Sequence, residues 1–136
     1  MSVMATFDAS RMLSFDLETT SANPREARVV TSALVRIDGS EVDANETLAD
    51  PGVEIPEEAA KVHGITTEKA RAEGRDHDEV VRETVEAIKQ GWEDGLTLVV
   101  FNAPYDLTVL RQLTPATRQV AGAAGREAWW PTKQKV

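Results

Sequence analysis

The ten residues Arg28 to Ile37, RVVTSALVRI, with Asp38-Gly39 directly behind them, constrain this chain more than any other feature. β-Branched residues at that density suit an extended strand, and an Asp-Gly pair after them favours a tight hairpin turn. Met12 to Leu17 (MLSFDL) is a second, shorter apolar run, and Glu41 to Leu48 alternates weakly enough to be an edge-like third strand. Together they predict an antiparallel three-strand meander.

Helices are expected after it. From Ala49 to Pro56 two prolines and a glycine make a loop, and Pro56 then opens a short helix that ends near Gly64. A longer helix is expected from about His77 to Trp92: Asp76 can cap it, Glu79 stands at the capping-box position, and Val81, Val85, Ile88 and Trp92 form one apolar stripe. Leu96 to Phe101 (LTLVVF) is the most apolar run in the chain and predicts a central strand covered on both faces. Pro104 can start a last helix through about Leu113. The order of elements points to an α/β class with a mixed sheet flanked by helices.

A length of 136 residues fits a single domain. There is no cysteine, so a metal would have to be held by oxygen or imidazole, which makes Mg2+ or Mn2+ the candidates. No apolar run approaches the roughly 20 residues of a membrane span, and Met1 to Arg11 does not resemble a secretory leader, so no membrane partner and a cytoplasmic location are expected. Net charge is -8 but unevenly spread: residues 1–110 hold 10 Lys and Arg against 22 Asp and Glu, whereas residues 111–136 hold 5 against 1. Such an acidic body argues against binding nucleic acid by phosphate neutralisation alone, but not against a metal-dependent enzyme, because bound cations invert the local potential.

The residues that can carry chemistry are acids. In Phe15-Asp16-Leu17-Glu18-Thr19-Thr20 an apolar strand ends in two carboxylates at i and i+2. Alternation puts both on one face with Cα atoms about 6.6 Å apart, within reach of one cation. Left without a cation, such a pair is repulsive, by about 4 kcal/mol at 4 Å separation and an effective dielectric of 20. With 9 Asp and 14 Glu, about one Asp-x-Glu triplet is expected by chance, so its setting matters more than its presence. Asp106 follows the other apolar strand in Asn102-Ala103-Pro104-Tyr105-Asp106 and could face back toward Asp16. The pattern alone leaves open a blander alternative, in which Asp16 and Glu18 are solvated strand-end charges and Asp106 is an acid favoured by a helix dipole.

Three segments in order resemble the DnaQ-like, DEDD-type 3'-5' exonucleases, a family that includes the proofreading epsilon subunit of bacterial DNA polymerase III. Phe15 to Thr20 resembles its first motif, Val62-His63-Gly64-Ile65-Thr66 its signature after the third strand, and Asn102 to Asp106 its second motif. The resemblance spans about residues 12–113 and implies a ribonuclease H-like fold and two-metal hydrolysis of a phosphodiester at a nucleic acid 3' end. It further implies that Asp16 bridges two Mg2+ or Mn2+ ions, that Glu18 binds the one holding the attacking water, and that Asp106 supports the second. Tyr105 would pack on a terminal base, and Thr19, Thr20, His63 and Asn102 would belong to the nucleotide site. Expected partners are a single-stranded 3' end or nucleotide and a DNA polymerase subunit. Each of these residues also has a plainer reading: Tyr105 as a buried helix aromatic, the threonines as turn residues, His63 as a helix end.

The family's third motif, a His followed five residues later by Asp, finds no match: residues 114–136 contain no His and one acid, Glu127. His63 has Glu68 five positions on but sits between the first two motifs. The expected organisation is therefore an exonuclease-like domain over 1–113, C-terminally incomplete, with 114–136 an atypical tail, disordered or frame-shifted. Impaired catalysis is expected with it. Two alternatives stand beside this: a catalytically dead module that binds a nucleotide, nucleic acid or partner, and an aspartate-nucleophile phosphatase, whose Asp-x-Asp-x-Thr motif Asp16 to Thr20 approximates. Trp129 and Trp130 would give a third behaviour, self-association.

Overall fold

The computed structural model describes residues 9–114. Glu127, Trp129 and Trp130 lie outside the described residues, as does nearly all of the expected tail.

The meander is formed by β1 (Arg11–Thr19), β2 (Val29–Asp38) and β3 (Glu41–Asp50), each pairing antiparallel with the next. Asp38 and Glu41 pair directly across the hairpin, with Gly39 at φ 68 and no non-glycine residue at positive φ among those described. Glycine at the first central position of a two-residue turn is the type II' geometry, whose twist matches that of the strands it joins. Helices α1 (Glu57–His63) and α2 (Thr67–Glu73) follow, then a two-residue strand β4 (Arg75–Asp76) and the long helix α3 (His77–Glu93). Strand β5 (Thr97–Val99) and helix α4 (Ala103–Gln112) complete the described part. The sheet order is β4-β3-β2-β1-β5, with β5 parallel to β1.

Apolar alternation explains the packing. Leu13, Phe15 and Leu17 of β1, Val81, Val85 and Ile88 of α3, Leu98 of β5, and Val109 and Leu110 of α4 form one buried cluster. A smaller one, Val30, Ile55 and Ala70, sits beneath α1 and α2. Asp76 caps α3 as expected, accepting from Glu79 N at 3.0 Å. The reciprocal half of the capping box is absent, because the Glu79 carboxylate takes a charged donor instead, Arg75 Nη2 at 2.9 Å. His77 also does more than begin the helix: 5% exposed, it accepts Val29 N–H on Nε2 at 3.1 Å and so pins α3 to the start of β2.

Three expectations need correction. The run Leu96 to Phe101 forms only a three-residue strand, and β5 lies at the edge of the described sheet, bonded to β1 alone. Its apolar side chains Leu96, Leu98 and Val100 are buried in the main cluster, so hydrophobicity reported burial and not a central position. Helix α2 and strand β4 lie in a stretch with no expected element. The signal for α2 was Thr66, whose hydroxyl accepts Lys69 N at 3.1 Å as an N-cap.

Gly74 ends α2 at a point where backbones touch. A Cβ there would lie 2.5 Å from Asp50 N and 2.6 Å from Ala49 C, and would also strike Ala70 O. None of those main-chain atoms can swing aside, so Gly74→Ala should cost about 3 kcal/mol, readable as a lowered denaturant midpoint.

Candidate active site

Strand β1 delivers the acids as its alternation requires. Asp16 is exposed and Glu18 half-buried on one face, while Phe15 and Leu17 point into the core. Directly after Glu18 the pairing with β2 slips, since Glu18 stands opposite Thr31 but Thr19 opposite Val29. This bulge leaves Val30 unpaired with β1 and re-aims the strand end, as bulges beside functional sites commonly do.

Contact between β1 and α4 is made by Tyr105. Its hydroxyl hydrogen-bonds the Thr19 hydroxyl and the Ser21 carbonyl. Burial raises the phenol's pKa, so it stays a neutral donor. Glu18 and Asp106 are the chain neighbours of the two residues joined there, and the contact brings them toward each other. Asp106 is 3% exposed, and no described residue donates a hydrogen bond to its carboxyl. Burial first, and then repulsion from Asp16 and Glu18, pushes its pKa up to about 7. Asp16 and Glu18 thus act on the charge of Asp106 from a segment far away in the chain.

The nucleotide-site candidates divide. A cleft of about 800 Å3 beside the end of β1 is lined by Glu18, Thr19, Thr20, His63 and Tyr105, with Ser21 among its other walls. Asp16, Asn102 and Asp106 are not among its lining residues. His63, at the end of α1, donates from Nε2 to the Thr19 carbonyl at 3.3 Å and accepts Ile65 N–H on Nδ1 at 3.2 Å. Both ring nitrogens are therefore engaged within the protein. Thr20 is buried, and its hydroxyl accepts Arg28 N–H at 3.0 Å, which ties together the two ends of the loop between β1 and β2. Asn102 is exposed at the start of α4, and its carbonyl accepts Tyr105 N–H at 3.1 Å and Asp106 N–H at 3.0 Å. Glu68 lies exposed on α2.

Two contributors escape sequence reasoning. Ser21 offers a main-chain carbonyl, which any residue could supply, so its identity carries no signal. Gln112 donates from Nε2 to Ala27 O at 2.6 Å and so anchors α4 to the loop that rims the cleft.

Among the described residues no group of three or more His, Cys, Asp or Glu side chains is gathered closely enough to hold a metal ion as it stands. The donor chemistry still suits a hard divalent cation: the acids offer only oxygen, and Asp106 is a buried acid whose charge no described group offsets. Replacing Tyr105 by Phe keeps the ring and removes the hydroxyl that joins the acid-bearing segments. Tyr105→Phe should lower stability by about 1 kcal/mol, read from chemical denaturation.

A five-stranded mixed sheet with an antiparallel meander, one parallel strand beside β1 and acids at the end of β1 defines a ribonuclease H-like nuclease fold. Residues 13–121 match the RNase T exonuclease family, and the chain belongs to it, as a DnaQ-like exonuclease. Its fold is similar to exonuclease I from Methylocaldum szegediense, at 23% identity and a TM-score of 0.66, over 76% of this chain and 23% of that one. It is also similar to a product-bound exonuclease I, at 21% identity and 0.67, over 79% and 26% of the two chains. A third similar structure is E. coli exonuclease I in complex with a dT13 oligonucleotide, at 20% identity and 0.64, over 76% and 23%. The chain therefore spans about a quarter of the length of these proteins. A search of curated proteins gave no match. Membership of the exonuclease family separates Asp16 to Thr20 from the phosphatase motif it approximates. No described helix is long and apolar enough to cross a membrane.

Proposed function

We propose that this chain carries the site of a 3'-5' exonuclease, which hydrolyses the terminal phosphodiester of single-stranded nucleic acid with Mg2+ or Mn2+ held by Asp16, Glu18 and Asp106. The observation that carries this reading is the Tyr105 bridge to Thr19 and Ser21, which sets Glu18 and Asp106 on either side of one contact. Two ions bound there would polarise the phosphate and lower the pKa of the attacking water.

The chain's own groups do the positioning. Asp16, exposed on β1, would meet an incoming phosphate through a cation, and Glu18, two residues on, lines the cleft. Thr19 and Tyr105 hold the strand end in a fixed relation to α4, so that Asp106 approaches the same point. Thr20 and His63 shape the cleft wall through backbone hydrogen bonds, and Asn102 starts the helix that carries Asp106.

A general base is the group without a candidate. His63 has both nitrogens in use, and residues 114–136 hold no His. General-base assistance is worth about 100- to 10,000-fold, so turnover by these 136 residues is proposed to be slow. The division at residue 113, the polymerase subunit as partner, and kinship with the proofreading epsilon subunit belong to the same proposal.

The test is Mn2+-dependent release of mononucleotides from a 5'-labelled single-stranded oligonucleotide, with EDTA as control. Release that stops with chelation supports the reading. Binding without any release at high protein concentration would instead establish a catalytically dead binding module of the same fold.

A further inference from the structure

Phe101 is 99% exposed, the most exposed of the large apolar side chains described. An aromatic ring fully in water in the turn after a strand is not explained by packing, because its neighbours in the same run, Val100 and Leu98, are buried in the main cluster. The parallel register explains where it lies. Met12 pairs with Thr97, Leu13 with Leu98 and Ser14 with Val99; β5 ends there, and Phe101 lies two residues on, in the turn that leads into α4, as Asp16 lies two residues past Ser14 on the neighbouring β1. Burial alternates in step on the two chains: Leu13, Phe15 and Leu17 point inward with Leu98 and Val100, and Asp16 and Phe101 point outward.

We infer that Phe101 is a stacking platform for a nucleobase of the bound strand, next to the phosphodiester that Asp16 receives. The inference rests on the exonuclease reading of Asp16 and adds a recognition residue to it. The occupant follows from what adjoins the ring. An acidic strand end that takes up phosphate through a cation holds a nucleotide, and the aromatic surface one chain spacing away meets that nucleotide's base or its neighbour's. Each base has a π-face, so the contact is sequence-tolerant, and it needs a base that is not already paired and stacked.

Binding to a single-stranded 12-mer with 2-aminopurine at its 3' end, in Mg2+, tests this on the full 136-residue chain. Wild-type protein should quench the 2-aminopurine. Phe101→Ala should abolish the quench and weaken affinity about 10-fold, while Phe101→Trp restores both. The melting temperature of Phe101→Ala should equal that of wild type, since the ring buries nothing. Affinity and quenching unchanged in Phe101→Ala, or no quench by wild type, overturn the inference. The two readings fail separately: loss of nucleotide release in Asp16→Ala together with an unaltered Phe101→Ala removes only the stacking role. A quench that depends on Phe101 in a protein that never cleaves keeps the platform and removes the exonuclease.

Discussion

Asp16→Ala reduces metal-dependent release of mononucleotides by about 100- to 1,000-fold, down to the EDTA background, without lowering the melting temperature. Removing one group that stabilises developing charge in a preorganised site typically costs that factor. Asp16 is the exposed member of the pair on β1, so the substitution deletes no core contact. It also removes one of the two charges that repel the buried Asp106, so the fold should gain slightly. The contrast between activity and stability makes the result readable. A substituted protein that still releases nucleotides at the wild-type rate would show that the cation, if one is needed, sits elsewhere.

Asp106→Asn makes the metal-free protein more stable at pH 8 and flattens its dependence on pH. In the folded chain the pKa of the Asp106 carboxyl is pushed up to about 7, from its ordinary value of 3.8. Between those values the native state binds more protons than the unfolded state, so this group's contribution makes stability fall as pH rises from about 4 to about 7 and level off above. Fully converted, the shift is worth at most about 4 kcal/mol. An amide has no charge to lose in that window. Mg2+ or Mn2+ should offset the same penalty, raising the melting temperature of wild type at pH 8, much less at pH 5, and hardly at all after Asp106→Asn. Thermal melts of the two proteins across pH 4–8, with and without metal, measure all three effects. A wild-type curve that rises steadily to pH 8 without metal would show that Asp106 is not held protonated.

Much of this was legible along the chain. The meander, its Gly39 turn, the Asp76 cap and the buried stripe of Val81, Val85 and Ile88 are local consequences of side-chain period, and the structure places them where the pattern does. Helix α2 was missed because its seven residues bury only Ala70, too few for a periodic stripe. The position of β5 was misjudged because an apolar run reports how much water it avoids and not which strands flank it. Tyr105 shows the same limit. No local pattern tells that its hydroxyl meets Thr19 and Ser21, 86 and 84 residues away.

Sequence alone settled that Asp16 and Glu18 share a face, since two-residue alternation is a steric property of any extended strand. It also settled the order of the meander, the long helix α3, the strand β5 and the helix α4, and membership of the family is written in its motifs. Only the tertiary structure decided that Asp106 is buried within range of those two charges, and that Phe101 stands in water in the turn after the strand that pairs with β1. Both depend on how β1 meets β5 and α4, contacts between residues more than eighty apart that no local pattern encodes.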